Sequence, residues 1–176
     1  MKKTFAKIFA VALALVSSAS FFSLKTTAAT ELDDEKLTAI STSCSIIKDN
    51  IKTIQHEDSK NRDHLGGYYN YILSNFIKPL NIVLVNNNMS TSVITTFSEN
   101  QNNYVSAFEL FDNDYRKNQK DLEELLSIDC TTEPIKFYNK LVVARKSRAK
   151  VADDITTINN LIEKQRTSVS NLKETL

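Results

Sequence analysis

Apolar side chains recur every three or four residues along most of the chain from residue 32 onward. The first such run spans residues 37–54, resumes over residues 65–83 and ends at the three asparagines of residues 86–88. Three-four spacing places apolar side chains on one stripe of a helix, and asparagine readily adopts turn conformations. The pattern therefore predicts a first helix over residues 32–86. In its second half the predicted core stripe consists of Leu65, Tyr69, Ile72, Phe76, Leu80 and Val83.

Two further runs with the same spacing follow the asparagines. The second predicts a helix over residues 91–128, capped by Ser90 or Thr91, and the third predicts a helix over residues 133–175. Heptad patterns sustained over this length are typical of helices that pack side by side at shallow angles. We therefore expect an all-α fold, an elongated antiparallel three-helix bundle. A break of the first helix near His56 would instead give a four-helix up-down bundle.

The two cysteines help to choose between these architectures. Cys44 and Cys130 each lie 43 residues from Asn87, so a straight first helix that folds back at Asn87 brings both to the same level. A disulfide between them requires this proximity, whereas a break at His56 would leave them about 36 Å apart along the helix axis. We therefore expect three helices cross-linked by a Cys44–Cys130 disulfide. The alternative is a pair of free or intermolecular thiols.

Four polar residues interrupt the apolar stripes at one level of the predicted bundle. In the predicted fold, a residue of the third helix lies level with the residue about 88 positions earlier in the first helix. Folding back at Asn87 then brings to one level Asp58, Asn61, Asn118 and Arg148. One interpretation is a layer that fixes the helix register, in which Asp58 and Arg148 neutralise each other. The other interpretation is a buried polar or ion-binding site.

Three residues that disfavour helices lie inside the first predicted helix. Pro79 cannot donate a backbone hydrogen bond, so a kink is expected near residues 75–79. The pair Gly66–Gly67 is expected to let a large aromatic ring pack close to the facing backbone. The aromatic residues around it are interpreted as a core cluster rather than a ligand pocket. They are Tyr68, Tyr69, Tyr71, Phe76, Tyr104 and Phe108.

The start of the chain has the parts of a bacterial secretory signal peptide. A basic beginning precedes an apolar run over residues 8–16, and small residues stand before Thr30. We therefore expect residues 1–29 to be removed, which leaves one helical-bundle domain of residues 30–176, secreted or associated with the cell envelope. Export also favours a disulfide, because the compartments outside the cytoplasm are oxidising. The alternative is an uncleaved anchor over residues 8–24.

The composition of the chain argues against several classes of function. Residues 1–29 carry four lysines and no acid, so their removal leaves 18 basic and 21 acidic side chains, a net charge of −3, which argues against nucleic-acid binding. The chain has two histidines, His56 and His64, and it lacks the sequence patterns of zinc proteases, phosphate-binding loops and activated nucleophiles. We therefore expect no enzymatic activity, no bound metal and no cofactor.

Several short segments carry a family resemblance. They are Leu65-Gly66 followed by Tyr69, the segment from Phe76 to Asn81, Asp129-Cys130, and Phe137-Tyr138 with Leu141 and Val142. Over most of residues 30–176 the chain resembles a group of exported, all-helical, two-cysteine proteins of small-genome bacteria. The resemblance implies an exported helical fold. It carries over no catalytic or binding residue, because that group has no assigned activity.

The function expected from these features is a structural or protein-binding role outside the cytoplasm. The expected partner is an unidentified protein of the envelope or of a neighbouring cell, and the chain itself is a monomer or a homodimer formed through residues 32–43. One alternative is an extracytoplasmic bundle that binds a small molecule or peptide. Another is a membrane-active helical protein that opens onto lipid; otherwise the chain meets the membrane only through an uncleaved signal segment.

Overall fold

The structure of the protein, a computed structural model, describes residues 34–175. Within this range every regular element is helical and no strand occurs, which confirms the predicted all-α fold. The proposed signal peptide, residues 1–29, lies outside the described residues. In chain order the elements are α1 (Asp34–Thr42), α2 (Cys44–Ile72), a π-helical turn (Leu73–Ile77), α3 (Lys78–Asn86), α4 (Thr91–Ser127) and α5 (Pro134–Thr175).

The first predicted helix is present as α1, α2, the π-helical turn and α3, joined end to end. Ser43 interrupts the helical geometry between α1 and α2. Backbone hydrogen bonds nevertheless continue across it, because the Ser43 N–H donates to the Ala39 carbonyl and the Ile47 N–H to the Ser43 carbonyl, both at 3.0 Å. α2 runs through His56 without a break, at the point where the four-helix alternative requires a turn. The chain reverses after α3, where Asn88 has a positive φ of 51°.

The irregularity expected around Pro79 takes the form of the π-helical turn. At its end the Lys78 N–H donates to the Leu73 carbonyl, five residues earlier, and Pro79, which has no N–H, follows at once. A π-helical turn holds more residues than an α-helical turn, so the residues after it are displaced around the helix by about one position. The buried side chains accordingly step from Leu73 and Ile77 to Leu84.

Two residues of the predicted core stripe are therefore exposed. Phe76 and Val83 leave 55% and 53% of their surface accessible to solvent. The extra residue of the π-helical turn rotates them away from the buried face that continues from Tyr69. The prediction that Phe76 and Val83 belong to the core was wrong, and so was the assignment of Tyr71, which is 55% exposed, to the aromatic core cluster.

Side-chain contacts define the directions in which the helices run. Residues later in α4 contact residues earlier in α5, so these two helices are antiparallel. α2 and α5 run in the same direction, because their contacts keep a constant separation of 90 residues. The contacts are Asn100–Ser168 and Asp121–Lys140 between α4 and α5, and Asp58–Arg148 and Tyr69–Asn159 between α2 and α5.

A disulfide closes the fold far along the chain from the asparagine turn. Cys44, at the start of α2, is bonded to Cys130, in the loop between α4 and α5, with their Cα atoms 5.4 Å apart. The sulfurs meet across a separation of 86 residues, as the fold-back at Asn87 predicts, so the predicted disulfide is confirmed. The apolar residues around it form the disulfide core. They are Ile51, Leu122, Leu125, Ile128, Phe137 and Ala144.

A second group of buried residues, the aromatic core, lies between the disulfide core and the asparagine turn. Tyr69 packs edge-on against Phe108 and Phe111, with ring centroids 6.2 and 5.8 Å away, and the Tyr104 hydroxyl donates to the Tyr69 carbonyl at 2.9 Å. The glycines were expected to admit a ring, but a Cβ atom at either position of Gly66–Gly67 would meet nothing within 4 Å, so that expectation was wrong. The buried members of the aromatic core are Tyr69, Leu73, Ile77, Tyr104, Ala107, Phe111 and Ile158.

Candidate functional site

The residues of the polar layer indicated by the sequence centre on one ion pair. Arg148 Nε donates to Asp58 Oδ2 at 2.7 Å, and Nη2 donates to Oδ1 at 2.9 Å. The Asp58 side chain is 12% exposed and that of Arg148 is 37% exposed. The hydrogen bonds to Asp58 raise the pKa of Arg148 although burial acts to lower it. Both carboxylate oxygens of Asp58 are thus engaged by the guanidinium, which joins α5 to α2.

Asn118, the predicted polar residue of α4, is almost fully buried. Ser147, which precedes Arg148 in α5, donates a hydrogen bond from its hydroxyl to Asn118 Oδ1 at 3.2 Å. Asn61 is partly buried on α2, and none of the hydrogen bonds or ion pairs among residues 34–175 joins it to the other three predicted residues. The structure therefore pairs Asp58 with Arg148, places Asn118 against Ser147, the residue before Arg148, and gives Asn61 no direct part in these contacts.

The layer extends to a carboxylate that the sequence patterns did not single out. Asp121 is 6% exposed and accepts hydrogen bonds from Lys117 at 2.6 Å and from Lys140 at 3.0 Å. Burial alone would raise the pKa of Asp121, but its hydrogen bonds to both lysines and to Ser147 hold it below the ordinary value. Its position three residues after Asn118, on the same face of α4, is the signal that could have revealed it.

A second charged cluster joins α2 to α4. Arg62 donates to Asp112 and, at 3.1 Å, to Asp63, and its guanidinium carbon lies 5.6 Å from the centre of the Tyr115 ring. Arg116 donates to Asp112 as well, at 2.8 Å. The hydrogen bond from Arg62, together with that from Arg116, lowers the pKa of Asp112. The charges of this cluster are therefore paired with one another across the two helices.

The residue types that bind metals are dispersed over the described part of the chain. His56 and His64 are both exposed. Within residues 34–175 there is no group of three or more histidine, cysteine, aspartate or glutamate side chains placed to hold a metal ion. The charged side chains of the polar layer instead bond to one another.

Two open concavities lie beside the disulfide end of the molecule. They share the side chains of Glu133, Lys136 and Asn139 at the start of α5. One continues along α5 to Val143, and the other reaches Leu37 of α1. Their lining mixes charged and apolar side chains.

The polar layer and the Arg62 cluster thus hold the long helices together, and the chemistry that they offer is the pairing of charges. No protein-family model matches the chain, and no curated protein or solved structure is significantly similar to it.

Proposed function

We propose that the chain is an elongated three-helix bundle that acts outside the cytoplasm and binds another protein, without enzymatic activity of its own. The Cys44–Cys130 disulfide supports this location, because disulfides persist in oxidising compartments. Among the described residues no helix is both long and apolar enough to cross a membrane. The ion pairs that join α2 to α4, α2 to α5 and α4 to α5 support the bundle arrangement.

The observation that carries the proposal is an apolar surface around the π-helical turn and α3, which we call the exposed apolar face. Its side chains are between 53% and 60% accessible to solvent. Five of the eleven large apolar side chains exposed among the described residues lie within residues 71–85. A concentration of this kind is typical of a surface that binds a partner. The members of the exposed apolar face are Tyr71, Phe76, Ile82, Val83 and Val85.

The neighbouring helices leave this face uncovered. On α3 the side chains of Ile82, Val83 and Val85 are all more than half exposed, whereas Leu84 is 4% exposed and is the buried residue of this helix. A helix with apolar side chains around most of its circumference is normally covered by other chains. A partner that covers it gains about 25 cal/mol for each Å² of apolar surface removed from water.

The charges around the exposed apolar face indicate the chemistry of the partner. Residues 65–98 contain a single charged side chain, Lys78, whereas ion pairs recur along the rest of α4 and α5. A surface this poor in charge is best matched by a partner that is apolar and uncharged at the contact, because burying an unpaired charge is costly. The seven-residue spacing of Phe76 and Val83 fits an amphipathic helix packed alongside.

Photo-crosslinking from the exposed apolar face tests this proposal. A benzophenone amino acid at Val83, introduced in the native cells, is expected to capture a defined protein. The same group at Leu110 of α4, which is 54% exposed, is the matched control and is expected to capture none. A crosslink between two copies of the chain would instead make the face a homodimer interface.

Affinity measurements with the captured and purified protein complete the test. Val83→Asp is expected to weaken binding at least tenfold, a loss of about 1.4 kcal/mol, because it places a charge in an apolar contact. Leu110→Asp is expected to leave the affinity unchanged. Equal losses from the two variants, with circular dichroism showing both folded, would contradict the proposal.

A second candidate function is the binding of a peptide or small polar molecule in the two concavities beside the disulfide. The shared Lys136 is exposed there, together with apolar and acidic neighbours. A panel of peptides and metabolites, screened by the rise in melting temperature, tests it. A stabilising ligand whose effect is lost in Lys136→Ala and kept in Val83→Asp would favour this candidate.

A further inference from the structure

We propose that Asp114 of α4 and Asp154 of α5 form a proton-binding pair, which holds one shared proton in mildly acidic surroundings and loosens the contact between the two helices when that proton is lost. The pair is a pH-sensitive element of the fold. It does not depend on the protein-binding role proposed above, because none of its residues belongs to the exposed apolar face.

A single lysine, Lys150, lies near both carboxylates where α4 contacts α5. Lys150 Nζ lies 2.9 Å from Asp114 Oδ2. Asp154 follows Lys150 by one helical turn on the same face of α5, so its carboxyl lies on the side of α5 that meets Asp114, whose charge acts on it. The Asp114 side chain is 13% exposed, and Oδ2 of Asp154 is fully buried.

With both carboxylates ionised, the site is one positive charge short. Lys150 can neutralise one carboxylate by its charge, but Oδ2 of Asp114 and Oδ2 of Asp154 are both buried without a hydrogen-bond donor among the described residues. Two carboxylates have no hydrogen atom between them and therefore repel, whereas one added proton turns the same contact into an O–H···O⁻ hydrogen bond. Burial, reinforced by the charge of Asp114, raises the pKa of Asp154 to about 6.

The other charged groups around the pair do not correct this imbalance. On α5, Asp153 adds further negative charge and so favours protonation of Asp154. On α2, the offset of 90 residues between α2 and α5 puts His64 at the level of Asp154, and His64 is exposed. Arg62 of α2 is engaged in its own ion pairs with carboxylates of α2 and α4.

Proton uptake at the pair favours the folded protein. The pKa of Asp154 is about 6 in the folded protein against an ordinary value of 3.8, so between these values the folded state holds a proton that the unfolded chain has released. The stabilising contribution is complete below about pH 4 and is lost as the pH rises through about 6. Acidification from neutral pH to about pH 4 therefore tightens the α4–α5 contact at this pair, and neutral conditions loosen it.

Melting temperatures measured from pH 4.5 to pH 8 test the proposal. The wild type is expected to lose about 4 °C as the pH rises through about 6, where Asp154 titrates. Asp154→Asn keeps a hydrogen-bond donor facing Asp114 and cannot ionise, so this variant is expected to lack the step and to melt at a higher temperature at pH 7.5. Asp153→Asn is the matched control, an exposed neighbour whose replacement is expected to keep the step.

Two further measurements separate the pair from the histidines, whose ordinary pKa is about 6.5. The step is expected to survive in His56→Asn and in His64→Asn. Carbon-13 NMR of the wild type is expected to show the Asp154 carboxyl titrating near 6. The proposal is overturned if Asp154→Asn keeps the step, if His64→Asn loses it, or if the Asp154 carboxyl titrates at its ordinary value.

Discussion

Arg148 of α5 and Asp58 of α2 form a two-pronged ion pair although 90 residues separate them in the chain. Both residues occupy positions where the stripes of their helices are otherwise apolar, so the pair marks one alignment of α5 against α2. A shift of α5 by one helical turn would leave both charges facing apolar neighbours, which is costly. The geometry therefore favours the interpretation of the polar layer as an element that fixes the helix register.

Replacing one partner of this ion pair is expected to destabilise the protein more than replacing both. Asp58→Leu leaves the partly buried Arg148 without a counter-ion, at a cost of about 1–3 kcal/mol. The double replacement by leucine removes the need for pairing and is expected to cost less than about 1 kcal/mol. Urea unfolding of the wild type, the two single variants and the double variant measures this difference.

The double variant is also expected to remain folded, with a looser helix register. Spin labels on exposed positions of α2 and α5 would show this as a broader distribution of distances than in the wild type. Loss of a bound ion on double substitution would instead identify the layer as a ligand site.

The position of the disulfide could be predicted because each residue of a helix adds the same length along the helix axis. Cys44 and Cys130 are equally far from the asparagine turn, so the fold-back alone brings them together. The exposure of Phe76 could not be predicted in this way. Residues 69, 76 and 83 are spaced seven apart, and so are residues 77 and 84, so both sets fit one stripe of a helix. Spacing alone does not show which set is buried after the π-helical turn, and Pro79 indicates only that the helix is disturbed.

Deleting one residue is expected to convert the π-helical turn into a regular helix without loss of the core. Asn75 is exposed and lies within the turn, so its removal keeps Ile77 and Leu84 on the buried face. Pro79→Ala is combined with the deletion, because proline obstructs an α-helical turn. The free energy of unfolding, measured in urea, is expected to stay within about 1 kcal/mol of the wild type.

The matched control for this deletion is removal of Asn103, an exposed residue of α4. α4 contains no π-helical turn that could absorb the missing residue. Buried residues such as Tyr104 would therefore be rotated away from the core, at an expected cost of more than about 3 kcal/mol. Similar losses from both deletions would show that the π-helical turn does more than add one residue.

Buried carboxylates are the features of the site that sequence patterns reveal least. An aspartate on a long helix is usually solvated, and Asp121 and Asp154 lie beside lysines and other acids, as ordinary surface residues do. Their burial depends on how closely α4 and α5 approach, which is a property of the whole packed structure. Asp58 and Arg148 could be singled out because they interrupt apolar stripes, and those stripes can be read from the sequence.

Asp121→Asn is expected to destabilise the protein at neutral pH and to matter less in acid. The pKa of Asp121 lies below its ordinary value of 3.8, so its ionised form stabilises the folded state. This contribution is present above about pH 4 and is lost as the pH falls through the lowered pKa, the opposite sense to Asp154. We expect a loss of about 1–3 kcal/mol at pH 7, and Glu123→Gln, at an exposed position of α4, is the control.

Urea unfolding at pH 7 and at pH 3 distinguishes this electrostatic effect from packing. The difference between wild type and Asp121→Asn is expected to shrink at pH 3. A loss of the same size at both pH values would show that Asp121 acts through its shape and not through its charge.

Alanine in place of the paired glycines of α2 is expected to stabilise the protein. Gly66–Gly67 lie in the interior of α2, where each glycine costs about 1 kcal/mol relative to alanine, and a Cβ atom at either position meets nothing within 4 Å. The double variant is therefore expected to gain about 1–2 kcal/mol in urea unfolding. The single Gly66→Ala and Gly67→Ala variants divide this gain, and a destabilised variant would mean that a ring packs there after all. A more stable double variant that binds the captured protein more weakly would extend the contact surface from the exposed apolar face back along α2.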